Sequence, residues 1–471
     1  MTSKPIANTG SFRDPVNRIY QTAEGRILRG LDKTAAAHCA KLITQPFFQE
    51  WVSAGKIVKT IHAVDDADTA AVRADGWAEV VEHAPVPFVS YPYEWAFFML
   101  QDAALLQLEL LETAMQNSWT IKDATPYNIQ WQGAKPIFID VPSIVPAVAG
   151  EPWLAYRQFC MLFLYPLMLK AHLNIDFNGS LRADLDGISP STAAKYFGGW
   201  RRFKSGVMAH VHLPASVENS ILKRERDRAP AQKREVKPQS EAMIFGLVQG
   251  VRNTVRKLRP GQQHSAWSHY AQTHSYADAD IQAKREFVAR HAATQQRQIV
   301  WDLGANTGDF SRLCALHAQT VVAVDSDIEA VERMYVKEKE TTNGNILPLV
   351  MNLANMSPNQ GWAGKERAAF DARQKPQLVL CLALVHHLRI AANIPMPLFL
   401  DWLHNLGADA IVEFVGRDDE MTKKLLLNKK EQYDDYNLAA FEAELKKRFT
   451  IRESLVVKGG SRQLYYLEFR K

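Results

Sequence analysis

Two different patterns of apolar and polar positions divide the chain. After residue 299, short apolar runs recur between stretches with helical spacing. IVWD (299–302), TVVAV (320–324), NILPLV (345–350), QLVLCLALV (377–385) and AIVEFV (410–415) predict five strands. Residues 451–457 and 463–469 predict a closing antiparallel pair. Strands alternating with helices give an α/β fold with a doubly wound, Rossmann-like sheet. The first 220 residues do not repeat this plan. They predict a hairpin over 17–29 turning at Glu24-Gly25, a helix over 33–54 and a long apolar helix over 95–117. A short strand-like stretch, WQGAKPIFID (131–140), follows, so this part reads as α+β.

Composition narrows the class. Of 471 residues, 47% are hydrophobic and 23% charged, which excludes a wholly disordered chain, a collagen-like fibre and a small disulfide scaffold. Cys39, Cys160, Cys314 and Cys381 are too scattered for a bridge framework or a Cys-x-x-Cys zinc site, so no metal site and a reducing cytoplasm are expected. The longest strongly apolar run, 159–169, is about half of a bilayer crossing, and the N-terminus lacks the apolar core of a signal peptide. No membrane insertion is expected.

The net charge of +5 is unevenly placed. Residues 221–262 hold eleven Lys and Arg against four acids, with Pro230, Pro238 and Pro260 among them. This predicts an exposed basic connector with a short helix over 242–258. A nucleic-acid or phosphate-binding strip is the alternative, weakened because Phe245 is the one aromatic among these charges for base stacking. The resulting division is 1–222, a linker 223–262, and 263–471.

The chemistry concentrates where the strands end. After the first run comes Asp302-Leu-Gly304-Ala-Asn306-Thr-Gly308, whose glycines allow a sharp turn and close approach to a ligand. The following helix N-terminus offers free N–H groups. The second strand ends at Asp325, placed to accept both hydroxyls of a ribose. Asn352 is placed for an edge hydrogen bond to adenine, with Leu353 against the ring. His386 and His387 follow the fourth strand, where an acceptor would lie, and histidine is the obvious base near neutral pH. Successive turn residues point differently, so at most one should touch substrate.

VWDLGANTGDF, the acid of VVAVDSD and LVHHL resemble the class I S-adenosylmethionine-dependent methyltransferases over 267–471. The resemblance implies S-adenosyl-L-methionine held by Asp302, Gly304, Asn306, Gly308, Asp325, Asn352 and Leu353. Asn306 replaces the usual central glycine and Asn352 the usual acid. The segment 267–288 looks like that family's cap helices, to which Tyr270 and Tyr276 could contribute.

A fainter pattern lies upstream. Asp123, Asn128 and Asp140, in KDATPYNI and PIFID, resemble the catalytic loop and metal-binding strand of the kinase-like fold, of the aminoglycoside phosphotransferase type. That resemblance implies a hydroxyl-orienting Asp and an Asn and Asp on magnesium, with ATP. Ile121 replaces the usual His, no Gly-rich phosphate loop is evident, and Arg29 is the nearest candidate for the strand lysine, so a degenerate domain ranks above a working kinase. Together with GSFRDP and SYPYEW, the whole chain resembles the nodulation-protein-related, NoeA-like group. This implies methyl transfer to a small-molecule or saccharide-like acceptor. The alternatives are a bifunctional kinase and methyltransferase on a glycan end, and a nucleic-acid methyltransferase; the latter lacks the usual base-gripping Pro-Pro-Tyr loop.

Overall fold

Seven strands of the C-terminal half build one sheet, in which the Val, Leu and Ile runs of the five parallel strands are buried on both faces. The structure, a computed structural model, describes residues 4–226, 238–261, 278–341, 344–427, 429 and 433–470. The predicted cap tyrosines, Tyr270 and Tyr276, lie outside the described residues.

In the N-terminal half, β1 (Ile6–Ala7), β2 (Asn17–Gln21), β3 (Ile27–Leu31), β4 (Thr60–His62) and β5 (Glu79–His83) form an antiparallel sheet in the order β1-β2-β3-β5-β4. The β2–β3 turn passes through Gly25 at φ +86°, a conformation open to glycine. The predicted helix over 33–54 is instead two, Lys33–Leu42 and Pro46–Ser53. Pro46 lacks the N–H to continue the first helix and opens the second. Two small antiparallel pairs follow: β6 (Trp119–Ile121) with β9 (Ile144–Pro146), and β7 (Ile129–Gln132) with β8 (Lys135–Phe138). The stretch 131–140 is therefore not one strand. It folds back at Gly133, where φ is +59° and a Cβ would lie 2.1 Å from the Gly344 carbonyl oxygen.

The long helix Phe97–Gln116 carries the centre of this half, and the helix Glu241–Lys257 packs along it. The predicted connector helix is thus not solvated. Ile244, Val248, Val251 and Val255, one apolar stripe at helical spacing, are buried. Gln101 donates to the carbonyls of Val255 (2.7 Å) and Leu258 (2.9 Å), and Arg252 pairs with Glu112.

The large sheet comprises β10 (Arg297–Leu303), β11 (Ala318–Asp325), β12 (Ile346–Val350), β13 (Leu378–Cys381), β14 (Asp409–Val415), β15 (Phe449–Val457) and β16 (Arg462–Phe469). Its order is β12-β11-β10-β13-β14-β16-β15, with β10 to β14 parallel and β16 antiparallel to both neighbours. This is a doubly wound, Rossmann-like sheet whose order reverses at β10. Ligands bind there, beyond the carboxyl ends of the strands. β13 is shorter than predicted because the chain turns at Ala383, at φ +50°.

The two halves share one hydrophobic core. Phe88 meets Trp301 and Phe370 edge-on, and Trp131 meets Tyr335. The helix Phe97–Gln116 has no side-chain cap of its own. Its first amides, Phe97 and Phe98, donate instead to the Glu332 carboxylate at 2.7 and 2.9 Å. Glu332 thereby satisfies orphan N–H groups of this helix from across the boundary. Among the described residues, no helix is long and apolar enough to cross a membrane.

Candidate functional site

The β10–helix turn sets the floor of the site. Gly304 (φ +80°) and Gly308 (φ +81°) flank Asn306, which itself adopts φ +49°. At Gly308 a Cβ would come within 2.9 Å of the Met334 sulfur. The turn is stitched to β11: the Asn306 N–H donates to Asp325 at 2.8 Å, and the Asp327 N–H donates to the other Asp325 oxygen at 2.8 Å. Burial raises the Asp325 carboxyl above its ordinary range, and these N–H bonds pull it back toward the ionised form.

A cavity of about 530 Å³ opens over this turn, within the size range of small-molecule sites. Gly304, Asn306, Asp325, Asn352, Leu353 and His387 line it. The side-chain oxygen of Asn306, a residue of this lining, is buried and has no hydrogen-bond partner among the described residues. The Asn352 oxygen accepts from the Ala354 N–H at 2.9 Å, which fixes the amide and turns its NH₂ to the role of donor.

Three residues named from the sequence are not part of the lining. Asp302 is 2% exposed beneath the turn; it accepts from the Ser311 hydroxyl at 2.6 Å, and burial pushes its carboxyl up to about 6. Gly308 shapes the turn as the residue before the helix Asp309–Ala315. His386 is 1% exposed, with its ring 4.1 Å from that of His387. Burial holds both imidazoles below their ordinary value, His386 further than His387, with the Arg462 charge adding to each. His387 is therefore neutral near pH 7, the form able to take a proton.

Sequence reasoning missed the far wall. Lys284 and Arg462 line the cavity, and both are buried on carboxylates. Lys284 Nζ lies 2.5 Å from Glu413, and Arg462 bonds Asp419 at 2.8 Å and Glu413 at 3.4 Å. Glu413, wholly buried, also accepts the N–H of Ala383 at 2.8 Å. Two cations and two carboxylates thus hold the left-handed Ala383 that turns the chain from β13 into the cavity wall. Only an acid inside the otherwise apolar AIVEFV run could have hinted at it.

The upstream trio also comes together. Asn128 donates to Asp140 at 3.2 Å, and Asp123 lies close enough that burial and the Asp140 charge raise its carboxyl. The other Asp140 oxygen is held by Arg29 at 2.6 Å, while Arg29 also reaches Asn17 and the Ile139 carbonyl. Among the described residues, no group of three or more His, Cys, Asp and Glu side chains is arranged to hold a metal ion.

No family model matches the chain. It is 31% identical over 468 residues to nodulation protein NoeA of Rhizobium meliloti (strain 1021), covering 99% of this chain and 96% of that protein. Among solved structures, N-methyltransferase NodS from Bradyrhizobium japonicum WM9 is 11% identical. It aligns with 41% of this chain and 98% of its own, at a TM-score of 0.31. Magnesium protoporphyrin IX methyltransferase from Synechocystis PCC 6803, with bound SAM, is 16% identical over 44% of this chain and 86% of its own, at a TM-score of 0.28.

Proposed function

The chain belongs to the family of nodulation protein NoeA, and from that premise we propose that it is an S-adenosylmethionine-dependent methyltransferase acting on a small-molecule or saccharide-like acceptor. The observation that carries the reading is the Asp325–Asn306 linkage at the mouth of a ligand-sized cavity, at the carboxyl ends of the parallel strands. The residues present fit the cofactor. Asp325 offers carboxylate oxygens to a ribose diol, and the unpartnered Asn306 oxygen can accept from an ammonium group. Leu353 supplies an apolar face and Asn352 an edge donor to adenine.

S-adenosylmethionine supplies an activated methyl group on a sulfonium. The protein has to align an acceptor with that group and exclude water. His387, neutral and on the cavity wall, takes the acceptor proton; His386, buried behind it, fixes its ring by packing. The Lys284–Glu413–Arg462–Asp419 cluster keeps this wall rigid.

The N-terminal part is a degenerate kinase-like domain that helps hold the acceptor. The juxtaposition of Asp123, Asn128 and Asp140 supports the kinship. Arg29 occupies the Asp140 oxygen that magnesium would need, which supports loss of phosphoryl transfer. The test is transfer of labelled methyl from S-adenosylmethionine to a panel of saccharides and small metabolites, with Asp325→Ala as control. Transfer to none of them by protein that binds the cofactor would leave it a cofactor-binding pseudoenzyme.

A further inference from the structure

Residues 187–217 contain no acidic side chain and four basic ones, Lys195, Arg201, Arg202 and Lys204. Within that stretch several large apolar groups are exposed, while Ile188, Phe197, Val207 and Val211 are buried. Trp200 is 70% exposed and Phe203 78%, on the short 3₁₀ turn Gly199–Phe203. Their neighbours on the same region are also open: Met208, Leu213 and Val217 are 51%, 64% and 49% exposed. The elements are packed together, since His212 bonds the Phe197 carbonyl at 3.0 Å and the 3₁₀ turn contacts the turn Met208–His212.

None of the four cations forms an ion pair among the described residues. Arg201 and Arg202 bond backbone carbonyls of Tyr196 and Gly199, and Lys204 lies 5.3 Å from the centre of the Trp200 ring. Large side chains exposed this fully are costly to keep in water unless something covers them. Aromatic and aliphatic groups interleaved with unpaired cations, in a stretch of chain with no acid between Asp186 and Glu218, match the headgroup region of an anionic bilayer. There the rings enter the acyl boundary and the cations meet lipid phosphates.

We propose that this face docks the protein peripherally on an anionic phospholipid surface, with Trp200 and Phe203 as anchors and Arg201, Arg202, Lys195 and Lys204 as the electrostatic contact. A single-stranded nucleic acid would use the cations and the two rings. It would have no use for Met208, Leu213 and Val217, whose exposure favours lipid.

The test is co-flotation of the full-length protein with phosphatidylglycerol vesicles, with phosphatidylcholine vesicles in parallel. Binding to the anionic vesicles, weakened by salt, is expected. W200S/F203S and, separately, R201Q/R202Q should each lower the bound fraction about tenfold while leaving the thermal midpoint and S-adenosylmethionine affinity unchanged. All these side chains are exposed, and the arginine pair serves should the aromatic pair misfold. No flotation with anionic vesicles would overturn the proposal. So would flotation indifferent to both variants, or binding of single-stranded RNA that the same variants abolish while vesicle binding is absent.

Discussion

Glu94 and Arg373 join the two halves of the protein through a two-pronged ion pair, at 2.6 and 2.9 Å, with both side chains at most 2% exposed. The guanidinium also lies 4.2 Å from the Tyr91 ring centre and bonds the Val89 carbonyl. Glu94 comes from the segment SYPYEW and Arg373 from the loop that continues beyond Asn352 and Leu353. The adenine side of the cavity is therefore mechanically tied to the N-terminal half. Arg182 adds to the tie, donating to the carbonyls of Asn355 (3.0 Å) and Met356 (2.8 Å).

Removing one member of such a pair leaves a buried charge unmatched. Glu94→Ala should cost about 3–5 kcal/mol in urea denaturation. Because the core is shared, the wild-type protein should unfold in one transition observed by fluorescence and by circular dichroism. Two separated transitions would show that the halves are independent.

Asp325→Ala should weaken S-adenosylmethionine binding by about 1–3 kcal/mol, the usual value of hydrogen bonds to a charged group. Asp325→Asn keeps an acceptor for the Asn306 N–H and should lose less. Equal and negligible losses in calorimetric titration would remove Asp325 from the ribose site.

Two buried acids make stability depend on pH. Asp302 is pushed up to about 6 and Glu332 to about 7, each chiefly by burial. The native state keeps protons that the unfolded chain has already released. Stability from these groups is therefore full below about pH 4 and falls as pH rises through 6 and 7. Asp302→Asn should match wild type near pH 4 and exceed its stability at pH 7 by about 2–3 kcal/mol, measured by denaturant titration.

Glu413→Ala should destabilise by about 3–5 kcal/mol, since Lys284 and Arg462 would keep their buried charges and both lose a carboxylate partner. Ala383→Gly acts in the opposite direction. It removes the cost of a left-handed alanine and should raise stability by about 0.5–1 kcal/mol in the same assay.

The legible parts of the sequence were those governed by local pattern. The five parallel strands of the large sheet fall on apolar runs, β15 and β16 on the closing pair, and the ends of β10 and β11 carry the acids and glycines that shape the turn. What escaped were choices made by distant partners. Pro46 splits a helix whose apolar spacing continues through it, and Gly133 folds one apparent strand into two. The basic connector reads as solvated until the stripe Ile244–Val255 meets the long helix. Lys284, Glu413, Asp419 and Arg462 come from four separate elements, so no spacing in the chain brings them together.

Calorimetric titration of ligand-free protein, its state checked by mass spectrometry, with S-adenosylmethionine tests the central claim most directly. One site per chain, weakened in Asp325→Ala, is the predicted result. No heat and no binding by a second method, from folded and ligand-free protein, would contradict it.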